Sequence, residues 1–410
     1  MNVYLIKASA KSAFKEYKQY MGSPPQSIFS VAATTPAGVG IEMVDETMDM
    51  KVNYRSKADI VAIFASTPDI LRAYEIARRF KKRGKTVVLG GLHVTFMPDE
   101  AQAHADALLI GEAEGIWEQL LADYQRGQLK PRYQRTEPVD VATLKPFPTH
   151  LIDKSWYGYT WTVMVSRGCT NHCSYCLVTP FFKRGMRYRP IGHVVDEIKN
   201  SGAQWIELHS DHLTGDRDYV RELFTAIKPL NINWVGETTV NMAEDEELLQ
   251  LAAESGMRYV LVGLETPSQE ALKRAGKGFV KIQRVKEYIR RYHEYDIVVD
   301  SALIFGFDEQ DETIFERSLE FVHDVGIDVP HSVLLIPFPG SRTYQQFEAE
   351  GRLLTRDWSK YDGAHAVFQP KLMTPKQLED GGNWFWYYAK RSKRAKKLER
   401  RMLWLWGMAS

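Results

Sequence analysis

Short apolar runs alternate with amphipathic stretches along most of this 410-residue chain, and this alternation restricts the fold more than any other feature. Residues 59–66 (DIVAIFAS), for example, are almost all apolar, and residues 69–84 place their apolar side chains at helical spacing. Strands that alternate with helices form parallel, doubly wound sheets. We therefore expect an α/β fold. The N-terminal strands are expected at 2–6, 40–45, 59–66, 85–91 and 105–112.

A stretch rich in proline and charge interrupts the alternation at 128–155, as is typical of a connection between domains. Six further strand–helix repeats follow it. Their strands are expected at 161–166, 204–209, 232–238, 258–265, 297–305 and 329–337. We therefore predict an N-terminal domain at 1–140, a linker at 141–158, a strand–helix unit at 159–340 and a helical C-terminal region at 341–410.

The three cysteines of the chain lie together in the run RGCTNHCSYC, with the spacing C-x3-C-x2-C. Cys169, Cys173 and Cys176 are suited to hold three irons of a cubane iron–sulfur cluster, which leaves the fourth iron open. The alternative is a structural zinc loop completed by His172, although no second pair of cysteines is present. A disulfide is disfavoured, because an odd and tightly spaced set leaves one thiol over.

This loop, with the aromatic Tyr175 before its last cysteine, resembles the cluster loop of the radical SAM superfamily. The six repeats are similar to the partial (β/α)6 barrel of that superfamily, whose chemistry lies at the carboxyl ends of the strands. The resemblance implies a 4Fe–4S cluster on the three cysteines, S-adenosylmethionine (SAM) on the open iron, and Tyr175 packed against the adenine. It also implies an electron donor such as flavodoxin or ferredoxin.

Residues at the ends of the barrel strands are implied as parts of the SAM and substrate site. The run GLE resembles the family's Gly-x-Glu turn, so we expect Gly263 and Glu265 to contact SAM. Gly306 lies in a run similar to the family's glycine-rich turn, where a glycine lets the backbone approach a ligand. The candidates for catalytic or substrate-facing roles at this edge are Tyr175, Asp211 and Glu237.

The N-terminal domain resembles the Rossmann-like, cobalamin-binding domain that precedes the barrel in one large radical SAM class. The family's Ser-x-Leu-type turn corresponds to Ser66-Thr67 without the leucine, and its glycine pair corresponds to Gly90-Gly91. The family's Asp-x-His-x-x-Gly loop is absent. The domain therefore either binds cobalamin without a lower axial histidine or keeps only the fold. His93, after the glycine pair, is expected to be a hydrogen-bonding loop residue in preference to an axial ligand.

Composition restricts the partners and the compartment. A net charge of +1 gives no electrostatic case for nucleic acid. The start of the chain does not have the pattern of a signal peptide, and no run has membrane-spanning length, so we expect a reduced, cytoplasmic location. The tail carries eight Lys/Arg residues between 390 and 401, before Trp404 and Trp406. Such a tail is either a solvated helix or a contact to an anionic membrane surface.

Taken together, the resemblance implies a radical SAM enzyme that cleaves SAM to a 5′-deoxyadenosyl radical and, with cobalamin, methylates an unactivated carbon of a hydrophobic or natural-product substrate. Two alternatives stay open from the sequence. One is a cobalamin-free cyclase, oxidoreductase or rearrangement enzyme of the same superfamily. The other is a protein of a different class, either a non-radical SAM- and cluster-binding alkyl transferase or a metal-binding protein without catalysis.

Overall fold

The computed structural model describes residues 1–10, 24–151, 157, 160–183 and 185–391. Within them, two parallel sheets of six strands follow one another along the chain. A separate pair of short antiparallel strands comes, in the sequence, after the first strand of the second sheet and before its second strand. The α/β class expected from the alternation of strands and helices is confirmed.

The first sheet has the strand order β2-β1-β3-β4-β5-β6, and every neighbouring pair is parallel. Its central strands are buried on both faces, because helices cover both sides. The strands are β1 (Asn2–Lys7), β2 (Gly40–Asp45), β3 (Ile60–Phe64), β4 (Thr86–Gly90), β5 (Ala107–Ile110) and β6 (Arg132–Gln134). The helices are α1 (Gln26–Thr34), α2 (Ile70–Lys81), α3 (Leu92–Phe96), α4 (Pro98–Gln102) and α5 (Ile116–Gln125).

Strand β6 is an element that the composition of its segment does not indicate. It lies within the proline-rich stretch and pairs with β5 at the edge of the sheet. Tyr133 holds it there, because its ring is buried and its hydroxyl donates to Asp123 at 3.0 Å. A single buried aromatic residue thus outweighs the polar composition around it.

The second sheet has the order β14-β13-β12-β11-β10-β7, again with all pairs parallel. Its strands are β7 (Thr160–Met164), β10 (Trp205–His209), β11 (Asn233–Thr238), β12 (Met257–Val262), β13 (Val298–Phe305) and β14 (Val329–Leu334). The antiparallel pair is β8 (Ser166–Arg167) and β9 (Arg187–Tyr188). The helices are α6 (Val178–Phe181), α7 (Ile191–Ser201), α8 (Arg217–Ile227), α9 (Glu246–Glu254), α10 (Gln269–Arg274), α11 (Val285–Glu294) and α12 (Ile314–Val325).

The second sheet has two different faces. One set of alternate residues, such as Ile206, Trp234 and Val260, is buried in the main hydrophobic core. The other set, which faces the inside of the partial barrel, begins with an apolar floor of Trp205, Val235, Tyr259 and Val298. Above that floor the inward set includes polar residues such as Glu207, Glu237 and Asp300. The floor fills the amino end of the barrel interior, so the polar side chains of the inner face lie toward the carboxyl ends of the strands.

Two further helices lie after the barrel, α13 (Arg342–Ala349) and α14 (Pro375–Ala389). Helix α14 approaches β14 and α12 closely, because a Cβ on Gly381 would collide with Phe315 and one on Gly382 would come within 2.7 Å of Leu334. Among the described helices, none is long and apolar enough to cross a membrane. The basic tail, expected to be either a solvated helix or a membrane contact, lies from residue 392 onward outside the described residues.

Candidate active site

The three cysteines lie in the loop between β8 and α6, at the carboxyl edge of the second sheet. Cys169 is buried, and the other two are half-buried. Burial raises the pKa of all three thiols, and that of Cys176 to about 11. Free thiols in this loop therefore keep their protons at neutral pH, whereas iron coordination removes them. The donor set fits a cluster held by three thiolates.

Two distant segments hold the cluster loop in place. The Ser174 N–H donates to the Ala275 carbonyl at 2.9 Å, and the Ser174 carbonyl accepts from the Thr343 N–H at 3.0 Å. Gly276 has a φ of +79° and lies so close that a Cβ there would collide with the His172 carbonyl. The loop is therefore fixed from outside by the segment after α10 and by the first turn of α13.

A buried ion pair lies behind the loop. The Lys277 ammonium donates to the Glu265 carboxylate, and each side chain is only 9% exposed. Glu265 has a φ of +65°, and its backbone bonds to Ala302 and Ile304 of β13, which fixes its position. Burial, then the charges of Glu265 and Cys173, raise the pKa of Tyr175. The structure thus brings the predicted residues Tyr175 and Glu265 together beside the cysteines.

Sequence reasoning missed Lys277. Its position between two glycines is the only local signal, and lysines are normally exposed. The structure also explains Gly263, because a Cβ there would collide with the Lys277 ammonium. The predicted Gly306 also has partners within the protein. Its N–H donates to Gln310 at 2.7 Å, and a Cβ would lie 2.8 Å from Phe368, so it packs beneath the C-terminal region.

The inner wall of the partial barrel carries two carboxylate–histidine pairs. On β10, His209 lies 3.2 Å from Glu207, whose other oxygen accepts from Thr162 at 2.8 Å. On β13 and β14, Asp300 lies 2.9 Å from His331. Tyr259 also donates to Asp300, and Trp386 of α14 stacks on His331 with ring centroids 5.8 Å apart. Any substrate group that enters the barrel meets polar side chains.

Glu237 and Asp211 also belong to this wall. Glu237 is open to water in the concave lumen, yet protein surrounds it closely enough that burial raises its pKa, while His209 acts against this. Asp211 accepts from the Gly168 N–H at 2.7 Å, and burial raises its pKa as well. Burial by itself would lower the pKa of His209, but the hydrogen bond to Glu207 raises it overall.

A cavity of about 410 Å³ separates the carboxyl edge of the first sheet from the cluster loop. This volume lies in the range of ligand sites. The first sheet contributes Ser66 and Gly91, and the segment after Cys176 contributes apolar side chains such as Phe181. From the barrel, His209 and Asp211 reach the same cavity. A ligand in this cavity would touch both halves of the molecule.

Two orphaned donors line this cavity at the start of α1. In the part of the chain that the structure describes, Gln26 Nε2 and Ser27 Oγ are buried without a hydrogen-bond partner. Buried polar groups normally have partners, so these atoms suit a polar ligand such as a corrinoid with amide side chains. Sequence analysis missed both residues, because their only signal is a helix start after two prolines.

Not all of the predicted cobalamin residues reach the cavity. Thr67 is buried, and Gly90 packs against Phe64, where a Cβ would lie 2.8 Å from the ring. His93 is 1% exposed, with its ring nitrogens 3.3 Å from Thr67 and 3.4 Å from Glu100. In this structure His93 lies in α3 as a buried packing and hydrogen-bonding residue, whereas the sequence analysis preferred a hydrogen-bonding loop residue to an axial ligand.

Two family models match the chain. The model of the Radical SAM superfamily matches residues 163–340, which include the cysteines and all but the start of the second sheet. The model of the B12 binding domain matches residues 24–121, within the first sheet and its helices. The superfamily match decides against the zinc alternative, because the cysteine loop lies inside the matched residues and this superfamily implies a 4Fe–4S cluster.

Curated relatives are similar to this chain over most of its length. A bacteriochlorophyllide d C-8(2)-methyltransferase from Chlorobaculum tepidum is 31% identical over 370 residues, which cover 84% of this chain and 80% of the relative. A bacteriochlorophyllide d C-12(1)-methyltransferase from the same organism is 29% identical, with 87% and 80% covered. A hopanoid C-2 methylase from Rhodopseudomonas palustris is 26% identical, with 82% of this chain and 66% of the relative covered.

Solved structures show the same fold. The radical SAM methyltransferase TsrM from Kitasatospora setae, with cobalamin and a 4Fe–4S cluster bound, has a TM-score of 0.70 at 17% identity, over 85% of this chain and 78% of TsrM. The cobalamin-dependent radical SAM enzyme OxsB has a TM-score of 0.68 at 15% identity, over 99% of this chain and 71% of OxsB. The cofactors are a 4Fe–4S cluster, SAM and cobalamin. The chain belongs to the radical SAM superfamily, in the class that has a B12-binding domain ahead of the radical SAM domain.

Proposed function

We propose that this enzyme transfers a methyl group from cobalamin to an unactivated carbon of a small organic substrate. The observation that carries the proposal is the cavity between the two sheets, which is lined by the B12-binding domain, by the segment directly after Cys176 and by His209 and Asp211 of the barrel. A methyl donor held there lies next to both the cluster loop and the barrel lumen. The similarity to methyltransferases over most of the chain supports this arrangement.

When bound, the cluster and SAM supply a 5′-deoxyadenosyl radical that abstracts a hydrogen atom from the substrate, and cobalamin supplies the methyl group. The chain's own residues bind and orient these groups. We propose that Cys169, Cys173 and Cys176 hold the cluster. Glu265, fixed by Lys277, is placed to accept hydrogen bonds from the ribose hydroxyls or the amino group of SAM.

In the B12-binding domain we propose Ser66 and Gly91 as cobalamin contacts, since both line the cavity, together with the orphaned donors of Gln26 and Ser27. The described residues of this domain that line the cavity include no histidine, because His93 is buried against Thr67 and Glu100. This is the first of the two expectations for the domain, namely cobalamin binding without a lower axial histidine.

The inner wall of the barrel refines the substrate class. We propose a substrate with an apolar body and at least one polar group that hydrogen-bonds to the Glu207–His209 pair or to Glu237. Trp386, stacked at the side of His331, offers an aromatic surface for the apolar part. Tetrapyrroles combine an apolar body with polar groups, and two relatives of this chain are methyltransferases named for bacteriochlorophyllide d. It is therefore the first substrate to test.

The test begins with anaerobic reconstitution with iron, sulfide and hydroxocobalamin, followed by measurement of cobalt per chain. The loaded enzyme is then incubated with a reductant, methyl-deuterated SAM and a panel of tetrapyrroles, and the products are examined by mass spectrometry. The expected result is retained cobalt and a product heavier by one labelled methyl group. Formation of 5′-deoxyadenosine with no methylated product from any substrate, or loss of cobalt, would favour cobalamin-free radical chemistry instead.

Finer assignments belong to the same proposal. We propose flavodoxin or ferredoxin as the electron donor, the domain limits 1–140, 141–158, 159–340 and 341–410, and a cytoplasmic enzyme whose tail at 390–410 contacts anionic membranes. Sedimentation with anionic liposomes tests the tail. The full chain should sediment, and less so at high salt, while a chain that ends at residue 389 should not. Equal sedimentation of the full and the shortened chain would refute the proposed membrane contact.

A further inference from the structure

The two short strands beside the cluster loop bring two arginines face to face. Arg167 of β8 pairs directly with Arg187 of β9 in the antiparallel register. Arg167 is buried, and Arg187 is 20% exposed. Like charges directly opposite one another on a strand pair are destabilising. This pair of strands therefore needs carboxylates from elsewhere in the molecule.

The carboxylates come from the B12-binding domain. The loop 111–115 that follows β5 places Glu112 between the arginines, 2.8 Å from Arg167 and 2.9 Å from Arg187. Glu114 adds a second contact to Arg167 at 2.6 Å. Both glutamates are buried. One buried and one half-buried arginine of the barrel domain thus face two buried glutamates of the other domain.

This group lies between the two cofactor sites. Arg167 stands two positions before Cys169, and the Gly168 N–H between them donates to Asp211. On the other side, Glu112, Glu114, Arg167 and Asp211 all line the cavity. A molecule in the cavity therefore contacts the same side chains that fix the start of the cluster loop.

We propose that Arg167, Arg187, Glu112 and Glu114, here called the arginine–glutamate clamp, couple cobalamin binding in the cavity to SAM binding at the cluster. They act as positioning residues, since they set the cluster loop against the B12-binding domain. The inference rests on the proposed function in one respect, namely that cobalamin occupies this cavity. Because coupling between two binding equilibria is reciprocal, cobalamin must tighten SAM binding by the same factor by which SAM tightens cobalamin binding.

The experiment measures binding and requires no turnover. Full-length protein with an oxidised cluster is titrated with SAM, with and without bound hydroxocobalamin, in the absence of reductant and substrate. We expect cobalamin to lower the Kd of SAM by about fivefold or more. Glu114→Gln, which keeps the volume but removes the charge opposite Arg167, should bring this ratio close to one. The matched control is Glu75→Gln, since Glu75 pairs with Arg72 on α2 of the same domain and away from the cavity.

Arg167→Lys provides a second variant that does not depend on the stability of the first. It keeps the positive charge but loses the forked contact to two carboxylates, so its ratio should also fall. A wild-type ratio of one, or an unchanged ratio in the folded clamp variants, overturns the inference. Cobalt retained with a ratio of one refutes the clamp alone, whereas failure to retain cobalt refutes the proposed function.

Discussion

Removal of the Lys277 ammonium tests the buried ion pair behind the cluster loop. Lys277→Met keeps the length of the side chain but leaves the Glu265 carboxylate without its counter-charge in a site where each side chain is 9% exposed. Breaking a buried pair on one side costs about 3–5 kcal/mol, because the remaining charge stays desolvated. At a slope of about 2–3 kcal/mol per molar urea, the unfolding midpoint should fall by roughly 1–2.5 M.

The assay is urea unfolding of the cluster-free protein under reducing conditions, followed by tryptophan fluorescence. Barrel tryptophans such as Trp234 report the domain that contains the pair. The matched control is Lys228→Met. Lys228 pairs with Glu254 at 2.7 Å on the surface of the same domain, with the side chains 50% and 40% exposed. Solvent screens such a pair, so the control midpoint should hardly move.

The double variant Lys277→Met with Glu265→Gln separates a lost ion pair from lost packing. Replacing both charged partners by neutral groups of similar volume removes the uncompensated charge, so more than half of the loss in midpoint should return. Equal small shifts for Lys277→Met and Lys228→Met would refute the reasoning. The reasoning would also be refuted if the double variant lost more stability than the two single variants lose together.

Three further predictions concern the cluster, the cavity and the barrel wall. Cys173→Ala should lose the visible absorbance of the reconstituted cluster, while His172→Ala should keep it; the reverse would support a site that uses the histidine. Gln26→Leu should weaken hydroxocobalamin binding roughly threefold to tenfold, the equivalent of one hydrogen bond, and an unchanged Kd would remove Gln26 as a contact. The hydrogen bond to Glu207 raises the pKa of His209 in the folded state. The stabilisation that this bond supplies is therefore complete below the unfolded pKa of about 6.5, and it is lost as pH rises through the raised pKa of the folded state. Wild type should therefore lose more stability than Glu207→Gln over that range, and parallel pH profiles of the urea midpoint would contradict this.

Local sequence patterns predicted most of the fold. The strands of both sheets lie close to the expected positions, because each is a short apolar run that reveals its burial without knowledge of its neighbours. The cysteine spacing likewise places three thiols on one loop by chain connectivity alone. The expected cofactors, 4Fe–4S cluster, SAM and cobalamin, are confirmed by the family to which the chain belongs. Strand β6 was not predicted, because its single buried tyrosine lies among polar residues in the sequence.

The candidate site was only partly predictable. Tyr175 and Glu265 meet beside the cysteines, and Asp211 and Glu237 belong to the barrel wall, as their places at strand ends indicated. His93 followed the right glycine pair but turned inward, because Thr67 and Glu100 satisfy its ring nitrogens. A motif shows where in the chain a residue lies, and tertiary packing decides in which direction its side chain points.

By itself, the sequence determined the class of fold, the order of the two domains and the loop that carries the three cysteines, because each depends on residues close together in the chain. Only the tertiary structure decided the ionic partners. Lys277 is twelve residues from Glu265, and Arg167 is fifty-three from Glu114. A charged side chain has the same sequence signature on the surface as in a buried pair. Whether its charge is solvated or neutralised depends on which distant segment the fold brings beside it.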